Sequence, residues 1–289
     1  MSHLFCFGLG YCAEVLAHRL AGAGWQVSGT AATADSMERI GRLGYAALPF
    51  DGSAAMPSIS RALMDATHVL VSVPPGENGD PVLGWHAADL AGARHLQWIG
   101  YLSTVGVYGD HGGGWVNEET PTAPLTERSR WRVAAESDWL ALGAASGKRV
   151  EIFRLAGIYG PGRSVIDDLR RGTARRIVKP GQVFNRIHVD DIATTLQAAM
   201  NRAGPHRIYN VADDEPSALE AVLLHAARLL RVVPPDPLPF DLADLTPMAR
   251  SFYAECKRVS NRRIKTDLGV TLAYPTFREG LDAIVRATD

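Results

Sequence analysis

Short, unbroken apolar runs recur along the chain, and segments of helical spacing separate them. HLFCFG (3–8), QVSGT (26–30), THVLVSVPP (67–75), LQWIGYLST (96–104), RVEIFRLAGIYG (149–160) and RIYNVAD (207–213) read as strands. Their apolar positions are continuous rather than alternating, the pattern of strands buried on both faces of a parallel sheet. CAEVLAHRLAGAG (12–24) reads as a helix closing in Gly and Ala. DSMERIGRLG (35–44) reads as another, with Asp35 as N-cap, Glu38 completing a capping box and Gly44 at its end. Strands alternating with helices predict a doubly wound α/β fold. Beyond about Gly160 the pattern loosens, and VVPPDPLPFDLADLTP (232–247) has the Pro and Asp content of connecting loops.

The turn after the first strand carries chemistry. FGLGYCA places Gly8, Gly10 and Ala13 in a G-x-G-x-x-A pattern between a strand and a helix. The first glycine allows a tight turn, the second lets a pyrophosphate approach the backbone, and Ala13 permits close helix–strand packing. The helix N-terminus then faces the phosphates. A merely tight strand-to-helix turn is the alternative, but the motif's position at the extreme N-terminus of an α/β chain makes dinucleotide binding the better reading. This makes the fold a Rossmann-type doubly wound parallel sheet with a smaller C-terminal substrate lobe. The expected division is 1–160 for the dinucleotide-binding domain and 161–289 for a mixed region, of which 187–213 returns to the Rossmann core. The cofactor is NADP or NAD. NAD-selective folds place a carboxylate at the tip of the second strand, but here Thr30, Ala31, Ala32 and Thr33 stand there. NADP is therefore preferred, with Thr30 and Thr33 as hydrogen-bond donors to a 2′-phosphate and Arg39 within reach of it.

Composition narrows the function classes. The chain has 289 residues, 46% of them apolar, enough for a large core. Lys+Arg number 30 and Asp+Glu 31, a net charge of -1 that draws the protein to neither nucleic acid nor an anionic membrane. No apolar run approaches the roughly 18–20 residues of a membrane span. The N-terminus lacks a basic n-region, so no signal peptide is expected. Cys6, Cys12 and Cys256 have spacings that suit neither zinc nor a disulfide framework. Reduced thiols in a cytoplasmic protein, with no metal, are expected.

Five segments in order resemble the extended short-chain dehydrogenase/reductase and NAD-dependent epimerase/dehydratase family, in particular its atypical members. They are YLSTVGVYGDHGGGWVNEETP (101–121), FRLAGIYGPG (153–162), NRIHVDDIA (185–193), YNVADDEP (209–216) and KRVSNRRIKTDLGV (257–270). The resemblance covers nearly the whole chain. Such enzymes use a Ser/Thr hydroxyl to orient the reacting oxygen, a tyrosine to move its proton, and a lysine to lower the tyrosine pKa and bind the nicotinamide ribose. Counting from Tyr108, the hydroxyl falls on Thr104, with Ser103 beside it. Counting from Glu136, the tyrosine position falls on Arg128 and the lysine on Arg132. Arg132 can supply a donor and a fixed charge. Arg128 cannot serve as a base, because a guanidinium holds its proton above about pH 12. The catalytic set is thus Thr104 and Arg132; the cofactor set is Gly8, Gly10, Tyr11, Ala13, Thr30, Thr33, Ser72 and Arg132.

YAECK (253–257) is a literal Y-x-x-x-K, but it lies in the late lobe and reads as a chance pair. RSVIDDLRRGTARRIVKPGQVFNR (163–186) is rich in arginine. Most of these residues read as a solvated face. In nucleotide-sugar epimerases the arginine of the R-x-x-H-V-x-D segment contacts the substrate diphosphate, and that position is Arg186, which reads equally as structural or substrate-binding. His188 reads as a hydrogen-bonded turn residue, and one of Asp190 and Asp191 as a helix cap. Two functions remain. One is an NAD(P)-dependent oxidoreductase or epimerase/dehydratase acting on a carbonyl or hydroxyl of a small molecule, such as a sugar or phosphorylated metabolite. The other is a non-catalytic NAD(P)-binding sensor or scaffold. The resemblance also implies a possible homodimer.

Overall fold

The computed structural model describes residues 2–287. Strand and helix alternate: β1 (His3–Phe7), α1 (Tyr11–Gly22), β2 (Gln26–Ala31), α2 (Ala34–Arg42), β3 (Ala46–Pro49), α3 (Pro57–Asp65), β4 (His68–Val71), α4 (Pro81–Gly92) and β5 (Trp98–Thr104). α5 (Glu127–Ser146) follows, and strands Arg149–Leu155 and Arg207–Val211 complete a seven-stranded sheet. From one edge its order is Arg207–Val211, Arg149–Leu155, β5, β4, β1, β2, β3. The pairings β1–β2, β1–β4, β2–β3 and β4–β5 are all parallel. The order reverses between β1 and β4, and ligands of open α/β sheets bind beyond the strand ends at such a switch point.

The continuous apolar strands are the buried ones. Every residue of β1 and β4 is buried, as are the first six of β5. The core joins Phe5, Phe7, Phe50, Ile99, Tyr101 and Trp139. β3, with no buried residue, lies at the open edge, which is why no apolar run marks it. One expectation is corrected: α2 is capped by Thr33, not Asp35. The Thr33 hydroxyl accepts the Ser36 N–H, so the helix begins at Ala34 and Asp35 falls in its first turn, where its charge suits the helix dipole.

The chain forms two compact units. The first contains residues up to Val107, Glu127–Arg154 and Ala193–Tyr209. Inside it, the fully buried Glu151 carboxylate accepts hydrogen bonds from Trp98 Nε1 (2.7 Å) and from Arg202 (2.8 and 3.1 Å). The second contains Tyr108–Thr126, Leu155–Ile192 and Asn210 onward. Three small parallel strand pairs organise it, including Gly157–Tyr159 with Arg186–His188. Its core joins Tyr159, Ile166, Val222, Ala226, Phe277 and Leu281. Among the described residues, no helix is long and apolar enough to cross a membrane.

His68 gives a pH-dependent stability. It lies between the rings of Trp25 and Trp98, and burial, helped by the Arg149 charge, lowers its pKa to about 4. The folded ring is neutral, while the unfolded chain protonates it near pH 6.5. Its contribution to stability is therefore complete above about pH 6.5 and is lost as pH falls through about 4. Urea unfolding followed across pH 4–7 is expected to show stability rising with pH, with a shallower slope in His68→Gln.

Candidate functional site

The glycine turn sits at the switch point. Gly8 has φ +80°, a left-handed conformation that favours glycine. A Cβ there would stand 2.7 Å from Ser72 Oγ. Two hydroxyls fix the turn: Gly8 N–H donates to Thr30 Oγ1 (2.9 Å), and Ser72 Oγ donates to the Gly8 carbonyl (2.5 Å). Gly10 is the N-cap of α1 and gives it no side-chain cap. A Cβ at Gly10 would meet no atom within 4 Å, so the space beside the helix N-terminus is open. Tyr11 begins the helix, and Ala13 is buried under it.

The threonines at the second strand both carry hydrogen bonds within the fold. Thr30 is 1% exposed and holds the turn. Thr33 is exposed, but its hydroxyl both accepts from Ser36 N and donates to Ser36 Oγ. Arg39, by contrast, reaches the turn from α2. Its guanidinium donates to the Leu9 carbonyl (3.3 Å) and pairs with Glu14 of α1.

The segment matched in sequence to the family's catalytic turn lies in the same unit. Thr104 ends β5 half-buried, and its Oγ1 accepts the Gly106 N–H (3.1 Å). That bond uses an oxygen lone pair and leaves the hydroxyl hydrogen available to another acceptor. A Cβ on Gly106 would lie 3.1 Å from Ser129 Oγ and 3.4 Å from Thr104 Oγ1, so a glycine keeps both hydroxyls uncrowded. Arg132 turns to the strand: its Nη1 donates to the Leu102 carbonyl (2.6 Å) and to Tyr101 Oη (3.2 Å). Burial raises the Tyr101 pKa despite that nearby charge, so the phenol is a poor acid here. Arg128, at the tyrosine position, is exposed on the first turn of α5, with no hydrogen bond or ion pair to another described residue. Behind the strand, Glu136 accepts from Ser103 Oγ (2.5 Å) and from Arg154 Nε and Nη2 (3.1 and 2.7 Å) in a buried network.

In the second unit a cavity of about 620 Å³ is lined by Arg163, Arg171, Arg175, Arg186 and Phe277, among others. Arg186 is 7% exposed; it donates to Ser217 Oγ (2.5 Å), and its Cζ lies 5.6 Å from the Phe277 ring centre. Arg171 pairs with Asp168, and Arg175 donates to the Asp244 carbonyl. Asp213 is 2% exposed, and its N–H donates to the Arg186 carbonyl (2.7 Å). Burial raises its carboxyl to about 7, opposed by the Arg186 charge.

The remaining sequence candidates hold structure. Tyr253 caps helix Pro247–Phe252, and Lys257 lies beyond it, bonded to the Gly109 carbonyl (2.7 Å) and Glu255, so the Y-x-x-x-K does not share a helix. Tyr108 Oη donates to Asn210 Oδ1 (2.7 Å), and Tyr159 to the Thr276 carbonyl (3.4 Å). His188 Nδ1 accepts the Asp190 N–H (3.2 Å), and Asp191 accepts the Ala273 and Tyr274 N–H groups. Apart from Arg186, the cavity arginines read in sequence as a solvated face, and the fold brings them to one cavity. Asp213 passed unnoticed within the quoted YNVADDEP. Removing Glu136 leaves Arg154 buried without its partner, so Glu136→Ala is expected to cost about 3–5 kcal/mol in urea unfolding, with Arg154→Met milder.

Comparison with known proteins gives the family. The model of the NAD dependent epimerase/dehydratase family matches residues 82–212. Protein YeeZ of Escherichia coli is 30% identical over 244 residues, covering 81% of this chain and 86% of YeeZ. A 3-diazoavenalumate denitrifying reductase from a Streptomyces species is 29% identical over 212 residues, covering 68% of this chain and 66% of the reductase. Among solved structures, a functionally unknown conserved protein from Silicibacter pomeroyi superposes with a TM-score of 0.92 at 49% identity, with 99% of each chain covered. The Bacillus cereus UDP-glucuronic acid 4-epimerase, in complex with UDP-glucuronic acid and NAD, shares the fold at a TM-score of 0.77 and 16% identity, with both chains fully covered. With a strand–glycine turn–helix at the sheet's switch point and these likenesses along its length, the chain belongs to the NAD-dependent epimerase/dehydratase family.

Proposed function

We propose that the protein is an NAD(P)-dependent oxidoreductase or epimerase/dehydratase acting on a carbonyl or hydroxyl of a sugar or phosphorylated metabolite. The first unit holds the cofactor, and the second takes the anionic part of the substrate. One observation supports the reading: the glycine turn is held in a single conformation at the sheet's switch point, by Thr30 and Ser72 on either side of Gly8. The space beside Gly10 is open and leaves room for a pyrophosphate to approach the backbone. Backbone N–H groups at the start of α1 favour a pyrophosphate there. Arg39, which reaches the turn from α2, would be the residue to meet a 2′-phosphate and supports NADP as the preferred cofactor.

Bound nicotinamide supplies or accepts the hydride. Thr104 donates its hydroxyl hydrogen to the reacting oxygen, since its own lone pair takes the Gly106 N–H. Arg132 fixes the end of β5 through the Leu102 carbonyl and places a positive charge beside it. Arg186 binds the substrate anion in the arginine-lined cavity. The chain places no phenol at the tyrosine position, so a solvent molecule carries the proton. A rate lower than a tyrosine-bearing relative's is then expected, since general acid–base catalysis contributes roughly 10²–10⁴-fold. The exposed Arg128 and the strand-bound Arg132 favour a second reading, a cofactor-binding sensor without turnover. The three free cysteines suit a reducing, cytoplasmic setting. The homodimer expected from the family is read directly by light scattering.

Fluorescence titration is expected to show NADPH binding at least tenfold tighter than NADH. Arg39→Ala should remove that difference by weakening NADPH alone, and equal affinities in the wild type would return the preference to NAD. A panel of carbonyl compounds and nucleotide sugars, followed by cofactor absorbance and by product analysis for redox-neutral epimerisation, separates enzyme from sensor. Thr104→Ala is expected to lower kcat by about 10²-fold or more with cofactor affinity unchanged. Turnover untouched by this change would remove Thr104 from the reaction, and binding without any turnover would favour the sensor.

A further inference from the structure

Three consecutive acidic residues follow strand Arg207–Val211, and the fold treats them differently. Asp214 accepts from Lys265 (2.5 Å) and Asn261 (2.6 Å) at the surface. Glu215 pairs with Arg278. Asp213 turns inward. Its Oδ1 accepts the Glu215 N–H (3.2 Å), while its Oδ2 is buried with no hydrogen-bond partner. Its backbone N–H is bonded to the Arg186 carbonyl, which fixes the two residues side by side. Among the described residues, their side chains form no ion pair and no hydrogen bond with one another. Arg186 instead donates to Ser217 and faces the cavity that Arg163, Arg171 and Arg175 also line.

A buried carboxyl oxygen without a partner is costly when ionised and tolerable when protonated. The groups facing Asp213 are few. Arg186 is joined to Asp213 through the backbone bond, and Asp214 and Glu215 follow Asp213 in its own loop. Tyr159, on the strand paired with that of Arg186, is a phenol whose pKa burial has raised, so it stays neutral. Asp191 and Glu279 act on Tyr159 rather than on Asp213 directly. Arg186 is thus the cation that favours the ionised form of Asp213.

We propose that Asp213 is proton-coupled to the Arg186 site, so that an anion enters the cavity together with a proton taken up by the Asp213 carboxyl. This rests on the assignment of Arg186 as the anion site. With no ligand, the Arg186 charge serves Asp213. When an anion arrives, it takes that charge for itself, and the Asp213 carboxylate is left buried between like charges. Protonation removes the repulsion. By linkage, the anion and the proton each raise the other's affinity. The coupling falls near neutral pH because burial has already raised Asp213 to about 7. The site therefore holds an anion more tightly under mildly acidic conditions and releases it as the pH rises.

Sulfate is the probe, because its charge is constant between pH 5.5 and 9. Sulfate affinity of the full chain, followed by intrinsic tryptophan fluorescence, is expected to be flat below about pH 7 and to weaken up to tenfold per pH unit above it. Asp213→Asn, matched in shape and without a charge, should keep the low-pH affinity throughout. Calorimetry of the wild type in two buffers of different ionisation enthalpy, at pH 7.5, should report proton uptake on sulfate binding. That measurement needs no variant and stands if Asp213→Asn folds poorly. Zero proton uptake, or the wild-type pH slope persisting in a folded Asp213→Asn, overturns the coupling alone. Wild-type sulfate affinity in Arg186→Gln overturns the anion site itself, and the coupling with it.

Discussion

Much of this structure depends on how one glycine is held. Gly8 can take its left-handed conformation because it has no Cβ, but that freedom alone would leave the turn mobile. The Thr30 hydroxyl accepts its N–H, and the Ser72 hydroxyl donates to its carbonyl. The two hydroxyls come from the strands on either side of β1, one at the end of β2 and the other just past β4. The turn is therefore locked by the same parallel registers that build the sheet. Phe7 pairs with Val71 and Cys6 with Gly29, so a slip of one residue in either pairing would carry a hydroxyl to the wrong face. The open space beside Gly10 is a consequence of sheet register as much as of the glycines themselves.

The sequence made this turn legible because its signal is local. A strand, two glycines, an alanine and a helix lie within a dozen residues, and continuous apolar runs located most of the sheet. β3 was invisible because its residues sit at an open edge, where burial leaves little pattern. The side-chain assignments at the second strand were less legible. Thr30 and Thr33 looked available in sequence, but one faces into the fold and the other caps α2. Facing is set by strand pairing and by where a helix begins, and both are decided by residues distant in sequence or by competition between neighbouring caps.

The same division runs through the altered catalytic turn. Counting residues placed Arg128 and Arg132 on α5, and their chemistry alone ruled out Arg128 as a base. Counting did not reveal that Arg132 is occupied by Leu102 and Tyr101. Nor did it reveal that Glu136, used as a landmark, joins Ser103 to Arg154 in a buried network. These partners lie on strands 18 to 33 residues away from Glu136 in sequence. Pairwise contacts of this kind need the folded sheet to define them.

The contact between Arg132 and the Leu102 carbonyl also constrains how this protein can change. A tyrosine at position 128 would add a phenol while the neighbouring guanidinium keeps its charge committed to the backbone at the Leu102 carbonyl. Restoring a lysine at position 132 would give up a charge-assisted bond at the end of β5. The two positions are therefore coupled through the end of β5, and changing either one alone does not build a tyrosine–lysine pair.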